Sequence, residues 1–227
     1  MLVRSQTTSQ VDLQTELASV ESFGHIGNHA LRHLVAWWFQ KRGERLMPSL
    51  RDINPAEIPS VLTQIWLCDY LPQGGCFRYR LAGEEINRFW GFSLRGKYLD
   101  EILPPKHLIS AVKKCRMAID LPAIVYDRTH LSLTDAITKH GERIILPLSD
   151  DGRTVNALLG ATRRDWFRDL EFDPFTTYSQ TTRVAPLRSK ESLPSGRACA
   201  RVDLGRQADP RAATEAGTGL QSGFGGR

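Results

Sequence analysis

The chain has 227 residues, of which 41% are hydrophobic and 24% charged, with a formal net charge of +5. That length holds one ordinary domain with extensions, and the composition suits a chain with a real core rather than a collagen-like or disulfide-stapled one. The charge is unevenly spread. Residues 183–227 carry eight basic and four acidic side chains, which leaves the body nearly neutral and argues against a nucleic-acid-binding core.

The four cysteines, Cys68, Cys76, Cys115 and Cys199, form no C-x-x-C pair. Cys68 and Cys76 flank an expected hairpin turn whose register sets Leu71 opposite Cys76 and Cys68 opposite Tyr79, out of line for a bridge. The first ten residues carry one Arg and no apolar run, so no secretory signal is expected. No apolar run approaches the ~20 residues that span a bilayer, and the cytoplasm is the expected address.

In chain order, residues 1–24 read as a flexible polar segment, with a short amphipathic turn between Val11 and Val20 at most. Residues 28–45 read as a helix capped by Asn28, with Leu31, Leu34, Val35, Trp38 and Phe39 in a broad apolar stripe. Asn54-Pro55-Ala56-Glu57 is a helix-start signal that Pro59 keeps short. Residues 65–71 and 76–82 read as a hairpin about Pro72-Gln73-Gly74-Gly75, with Phe77, Tyr79 and Leu81 on one face and Arg78 and Arg80 on the other. Short helical turns follow to Gly91 and Gly96, and Pro104-Pro105 opens a longer helix over 106–120. Strands are expected at 123–134, 143–149 and 154–162, the last two joined at Asp150-Asp151-Gly152. From residue 171 onward the pattern decays into a basic tail expected to be disordered.

Runs of strands separated by a helical block imply an α+β domain with an antiparallel sheet, and a cleft between sheet and helices in which a small ligand fits. The stretches Trp38-Phe39-Gln40-Lys41-Arg42-Gly43, Pro48-Ser49-Leu50-Arg51-Asp52-Ile53-Asn54-Pro55-Ala56-Glu57-Ile58-Pro59, Ile65-Trp66-Leu67-Cys68-Asp69 and Phe77-Arg78-Tyr79-Arg80-Leu81-Ala82-Gly83 are more specific, as are Leu94-Arg95-Gly96 and Leu146-Pro147-Leu148-Ser149-Asp150-Asp151-Gly152. Over residues 34–166 the chain resembles a family of small bacterial, chiefly alphaproteobacterial, PAS-like proteins formerly called a domain of unknown function. Asn54 stands where that family usually has an aspartate, and still caps; the basic tail is no family feature.

The resemblance implies a PAS-like fold over residues 25–170: a five-stranded antiparallel sheet, short helices on one face and an N-terminal flanking helix. It implies a sensory or regulatory module, not an enzyme, that binds an unidentified small molecule in the cleft between sheet and helices and signals through a downstream protein. The alternative is a ligand-free adaptor that binds a partner protein or itself. Trp66, Tyr79, Phe89 and Trp90 are the aromatic candidates for the cleft wall, although core packing accounts for them equally well. Leu31, Leu34, Val35 and Trp38 are the candidates for a homodimer or partner face, because PAS domains often pair through a flanking helix.

No cofactor is identified and no metal site is expected. His25, His29 and His33 recur at i, i+4 and i+8, but no Cys, Asp or Glu joins them at that spacing and the helix starts between the first two. His107 is on the helix where haem-binding PAS domains carry an axial ligand, yet at its first turn a solvated histidine is the expected state. Glu85-Ile86-Asn87-Arg88-Phe89 lacks the cysteine of a flavin photosensor, and Cys115 reads as a core residue. Arg78 and Arg80 either face solvent or offer a carboxylate- or phosphate-binding pair. There is no H-E-x-x-H, G-x-S-x-G or Walker loop, and Gly217-Thr218-Gly219 has no strand before it. Weak phosphate contact by the tail arginines is possible in principle, but nucleic acid is not the expected partner.

Overall fold

The computed structural model describes residues 8–12, 21–134, 137–165 and 177–187. Its elements in chain order are β1 (Thr8–Asp12), α1 (His29–Arg42), β2 (Ile65–Leu71), β3 (Cys76–Ala82), α2 (Glu84–Trp90), α3 (Leu99–Ile102), α4 (Pro105–Asp120), β4 (Ala123–Thr134), β5 (Ile137–Leu148), β6 (Ala157–Arg164) and β7 (Thr177–Pro186). Single 3-10 turns lie at Glu21–Phe23, Leu50–Asp52, Pro55–Glu57 and Pro59–Val61. The turn at Leu50–Asp52 closes a capping box from Ser49, and Asn54 caps the next by accepting from Ala56 N.

The strands form one sheet in the order β1-β7-β4-β5-β6-β2-β3. The five antiparallel strands β4-β5-β6-β2-β3 match the expected architecture. The sheet is wider than expected because β7 pairs antiparallel with β4 along its whole length and β1 pairs parallel with β7. Two boundaries are therefore corrected. The segment expected to be a disordered tail from residue 171 contains a strand, and the N-terminal segment 1–24 contains another. Beyond residue 187, the basic tail and Gly217-Thr218-Gly219 lie outside the described residues, as do most of the turn expected between Val11 and Val20 and the cysteine at 199.

The hairpin register follows the turn chemistry: Leu71 pairs with Cys76 and Cys68 with Tyr79. Between those pairs and Leu67↔Leu81 the register shifts, leaving Arg80 unpaired as a bulge. The bulge switches sides, so Phe77 and Tyr79 share a face but Leu81, expected with them, does not and is 46% exposed. Arg78 and Arg80 both reach the Asp69 carboxylate, Arg80 at 2.7 Å and Arg78 at 3.5 Å, and both stay about half exposed. Residues 96–98 hydrogen-bond to the outer edge of β3 through Gly96 N, Lys97 O and Tyr98, which covers that edge.

Adjacent strand residues face opposite sides, and both sides of the sheet's centre are covered. On one side Leu31, Leu34, Val35 and Trp38 of α1 pack inward, each no more than 1% exposed, and the Trp38 indole donates to Pro147 O at 3.1 Å. The four residues expected to form a dimer or partner face are thus core residues of this chain, because the sheet face behind them is apolar and needs that cover. Asn28 Oδ1 accepts from Leu31 N at the helix start, and Gly43, at φ 56°, ends it. On the other side lie α2, α3 and α4. Among the described residues no helix is long and apolar enough to cross a membrane.

Candidate functional site

Strand pairing aligns a polar row across the sheet face beneath α4. Thr182 of β7 is opposite Asp127 of β4, Asp127 opposite Arg143 of β5, and Arg143 opposite Thr162 of β6. A second row, Gln180, Thr129, Gly141 and Arg164, runs beside it. On the other flank the face turns apolar through Val125, Ile145, Gly160 and Trp66. Gly160 leaves room for the indole: a Cβ there would stand 2.1 Å from the Trp66 ring. So placed, Trp66 Nε1 donates to Thr162 Oγ1 at 3.0 Å.

Above these rows is a cavity of about 110 Å³. Its roof is one face of α4, supplying His107, Ser110, Ala111, Lys114 and Cys115, with Leu99 and Leu103 from α3 and its C-cap, and Trp90 from α2. The volume is small beside the roughly 300 Å³ at which ligand pockets usually begin.

Polar groups in the cavity are mostly paired. Lys114 Nζ lies 3.0 Å from Asp127 Oδ2, both side chains nearly buried, and Thr182 Oγ1 donates to Asp127 Oδ1 at 2.6 Å. Burial lowers the Lys114 pKa, the Asp127 charge opposes that, and the Arg143 charge adds to it. Arg143 Nε donates to Thr162 Oγ1 at 3.2 Å. Arg163 pairs with Glu85 at 3.4 Å, and the Arg164 guanidinium lies 4.2 Å above the Phe89 ring. Burial pushes the Cys115 thiol up to about 12 and Cys68 and Tyr79 well upward, so all three are protonated and uncharged at neutral pH.

Of the four aromatics expected at the cleft, Trp66, Tyr79 and Trp90 line the cavity. Phe89 does not; it is turned under Arg164 and edge-on to Trp90. His107, expected to be solvated, is half-buried and lines the cavity, because Pro104 and Pro105 start α4 over its mouth rather than beyond it. Lys114, Asp127, Arg143 and Thr162 are the site residues that sequence reasoning missed. Strand register brings Asp127, Arg143 and Thr162 together, and the packing of α4 over the sheet adds Lys114. His25 is in the loop before α1 with its ring edge-on to Tyr126, while His33 meets Ser60, so the three histidines do not converge.

One more contact ties the cavity to the opposite side of the sheet. Glu142, next to Arg143, faces the other way. Its carboxylate accepts from Gly27 N at 3.0 Å, Asn28 N at 2.7 Å and the Tyr126 hydroxyl at 3.0 Å, at the start of α1.

A mostly antiparallel sheet with a helical roof over a small mixed-polarity cavity defines an α+β domain. A family model described as PAS domain matches residues 26–163, and the chain belongs to the PAS domain family. Comparison with curated proteins finds no match.

Proposed function

We propose that this chain is a PAS-type sensory module that holds a small ligand in the cavity between sheet and helices and passes occupancy to a partner protein through α1. Binding, not catalysis, is the role assigned. The observation that carries the reading is the adjacency of Glu142 and Arg143 on β5: one holds Gly27 and the N-cap Asn28 that lead into α1, the other floors the cavity. A ligand that moves Arg143 strains the same stretch of backbone that fixes α1, which gives occupancy a physical route to the far face. Native mass spectrometry of the full chain, purified without added ligand, tests the reading when set against the denatured mass. Excess mass per protomer supports a retained ligand, and hydrogen exchange at residues 27–31 that changes on its removal supports the route.

The second reading is a ligand-free adaptor. What favours it is the small cavity, below the roughly 300 Å³ at which ligand pockets usually begin. A clean apo mass, with added small molecules leaving exchange at residues 27–31 unchanged, would select it. A homodimer under either reading needs a surface other than the buried stripe Leu31, Leu34, Val35 and Trp38.

A further inference from the structure

Resting on the reading of the cavity as a ligand site, we propose that its ligand is a small carboxylic acid in its anionic form, gripped by the guanidinium of Arg143 with its apolar body against Trp66, Tyr79 and Ile145. The charges of the cavity lead to this class. Asp127 is occupied by Lys114 and Thr182. Glu142 turns its carboxylate to the opposite side of the sheet. Arg163 is engaged by Glu85. Arg143 is different: its Nε is fixed on Thr162, and no acceptor among the described residues meets its two terminal nitrogens.

A guanidinium held at Nε presents its remaining donors as a planar fork, which matches the two oxygens of a carboxylate. The anchor is preorganised, since Thr162 Oγ1 also accepts from Trp66 and so fixes the ring beside the fork. Arg143 also raises the cost of a charged Lys114 nearby, so an anion on Arg143 relieves a repulsion already present in the cavity. The cavity's apolar wall of Trp66, Tyr79, Ile145 and Leu103 gives the body of an organic acid a place that an inorganic anion would leave unfilled.

The test uses the full chain and follows the Trp66 indole N–H resonance, assigned through Trp66→Phe. Acetate, propionate, butyrate and benzoate are titrated, each beside its uncharged amide. We expect at least one acid to shift the resonance saturably and its amide to bind weaker by about tenfold or more, the scale of one charge-assisted bidentate contact. Arg143→Gln is expected to remove that advantage, so that acid and amide bind that variant alike, and Arg143→Lys to keep part of it. Acids and amides that bind alike would overturn the carboxylate assignment while leaving the cavity a ligand site. A resonance that no probe moves would overturn both. Should Arg143→Gln fail to fold, the acid–amide contrast in the unaltered chain and the Arg143→Lys variant decide the matter.

Discussion

At the scale of single residues, the cavity depends on two placements that tolerate little change. Gly160 is the flat spot on which the Trp66 indole rests. Gly160→Ala puts a methyl group where the ring is, so the indole must swing off and lose its bond to Thr162. Overpacking of this kind costs about 1–3 kcal/mol. The expected outcome is a lower denaturant midpoint together with a displaced Trp66 N–H resonance; a stability loss with that resonance unmoved would place the strain elsewhere. The second placement is the Lys114–Asp127 pair. Lys114→Met leaves a buried carboxylate with only Thr182 as donor, and removing one partner of such a pair costs about 3–5 kcal/mol. Lys114→Met combined with Asp127→Leu removes both charges and is expected to recover most of that loss in equilibrium unfolding. If the double variant is no more stable than the single one, the pair is not what the cost measures.

At the scale of elements, Glu142 links β5 to α1. Its carboxylate satisfies two of the backbone N–H groups that open the helix and complements the positive end of the helix dipole. Glu142→Ala is expected to cost about 1 kcal/mol and to speed hydrogen exchange at residues 27–31 selectively, leaving β4 and β5 protected. Elements also show what the sequence made legible. The β2–β3 hairpin was readable down to its register, because Pro72-Gln73-Gly74-Gly75 fixes the turn and the turn fixes the pairing. The bulge at Arg80 was not, since nothing local marks it. The stripe on α1 was readable as apolar, but an apolar stripe does not say whether its cover is a second chain or this chain's own sheet. In the site, three of the four aromatics announced themselves by type and position, Trp66 and Tyr79 on strands and Trp90 at the end of α2. The polar floor did not, because Asp127, Arg143, Thr162 and Thr182 are neighbours only across strands. β7 was missed for a related reason. Its inward positions Gln180, Thr182 and Val184 alternate as a strand's should, but two of the three are polar because they face the polar side of the cavity.

At the scale of the whole molecule, β7 decides where the folded unit ends. Composition puts the boundary near residue 170, where regular apolar patterning stops. A chain cut there loses ten residues paired with β4, the buried Val184, Ala185 and Leu187, and the hydroxyl that donates to Asp127. It also bares the edge of β4, a row of unpaired backbone donors and acceptors open to another chain's strand. The Lys114–Asp127 pair then stands at a sheet edge with one hydrogen bond fewer, so water reaches the floor of the cavity. The expected outcome is that a chain of residues 1–170 melts at a clearly lower temperature than one of residues 1–192, and associates in a concentration-dependent way in light scattering. It is expected also to lose whatever small-molecule binding the longer chain has, because the missing strand supports the row that holds Arg143 in line. Equal melting temperatures for the two chains would mean that β7 adds pairing without stability, and would return the boundary to the place the composition suggests.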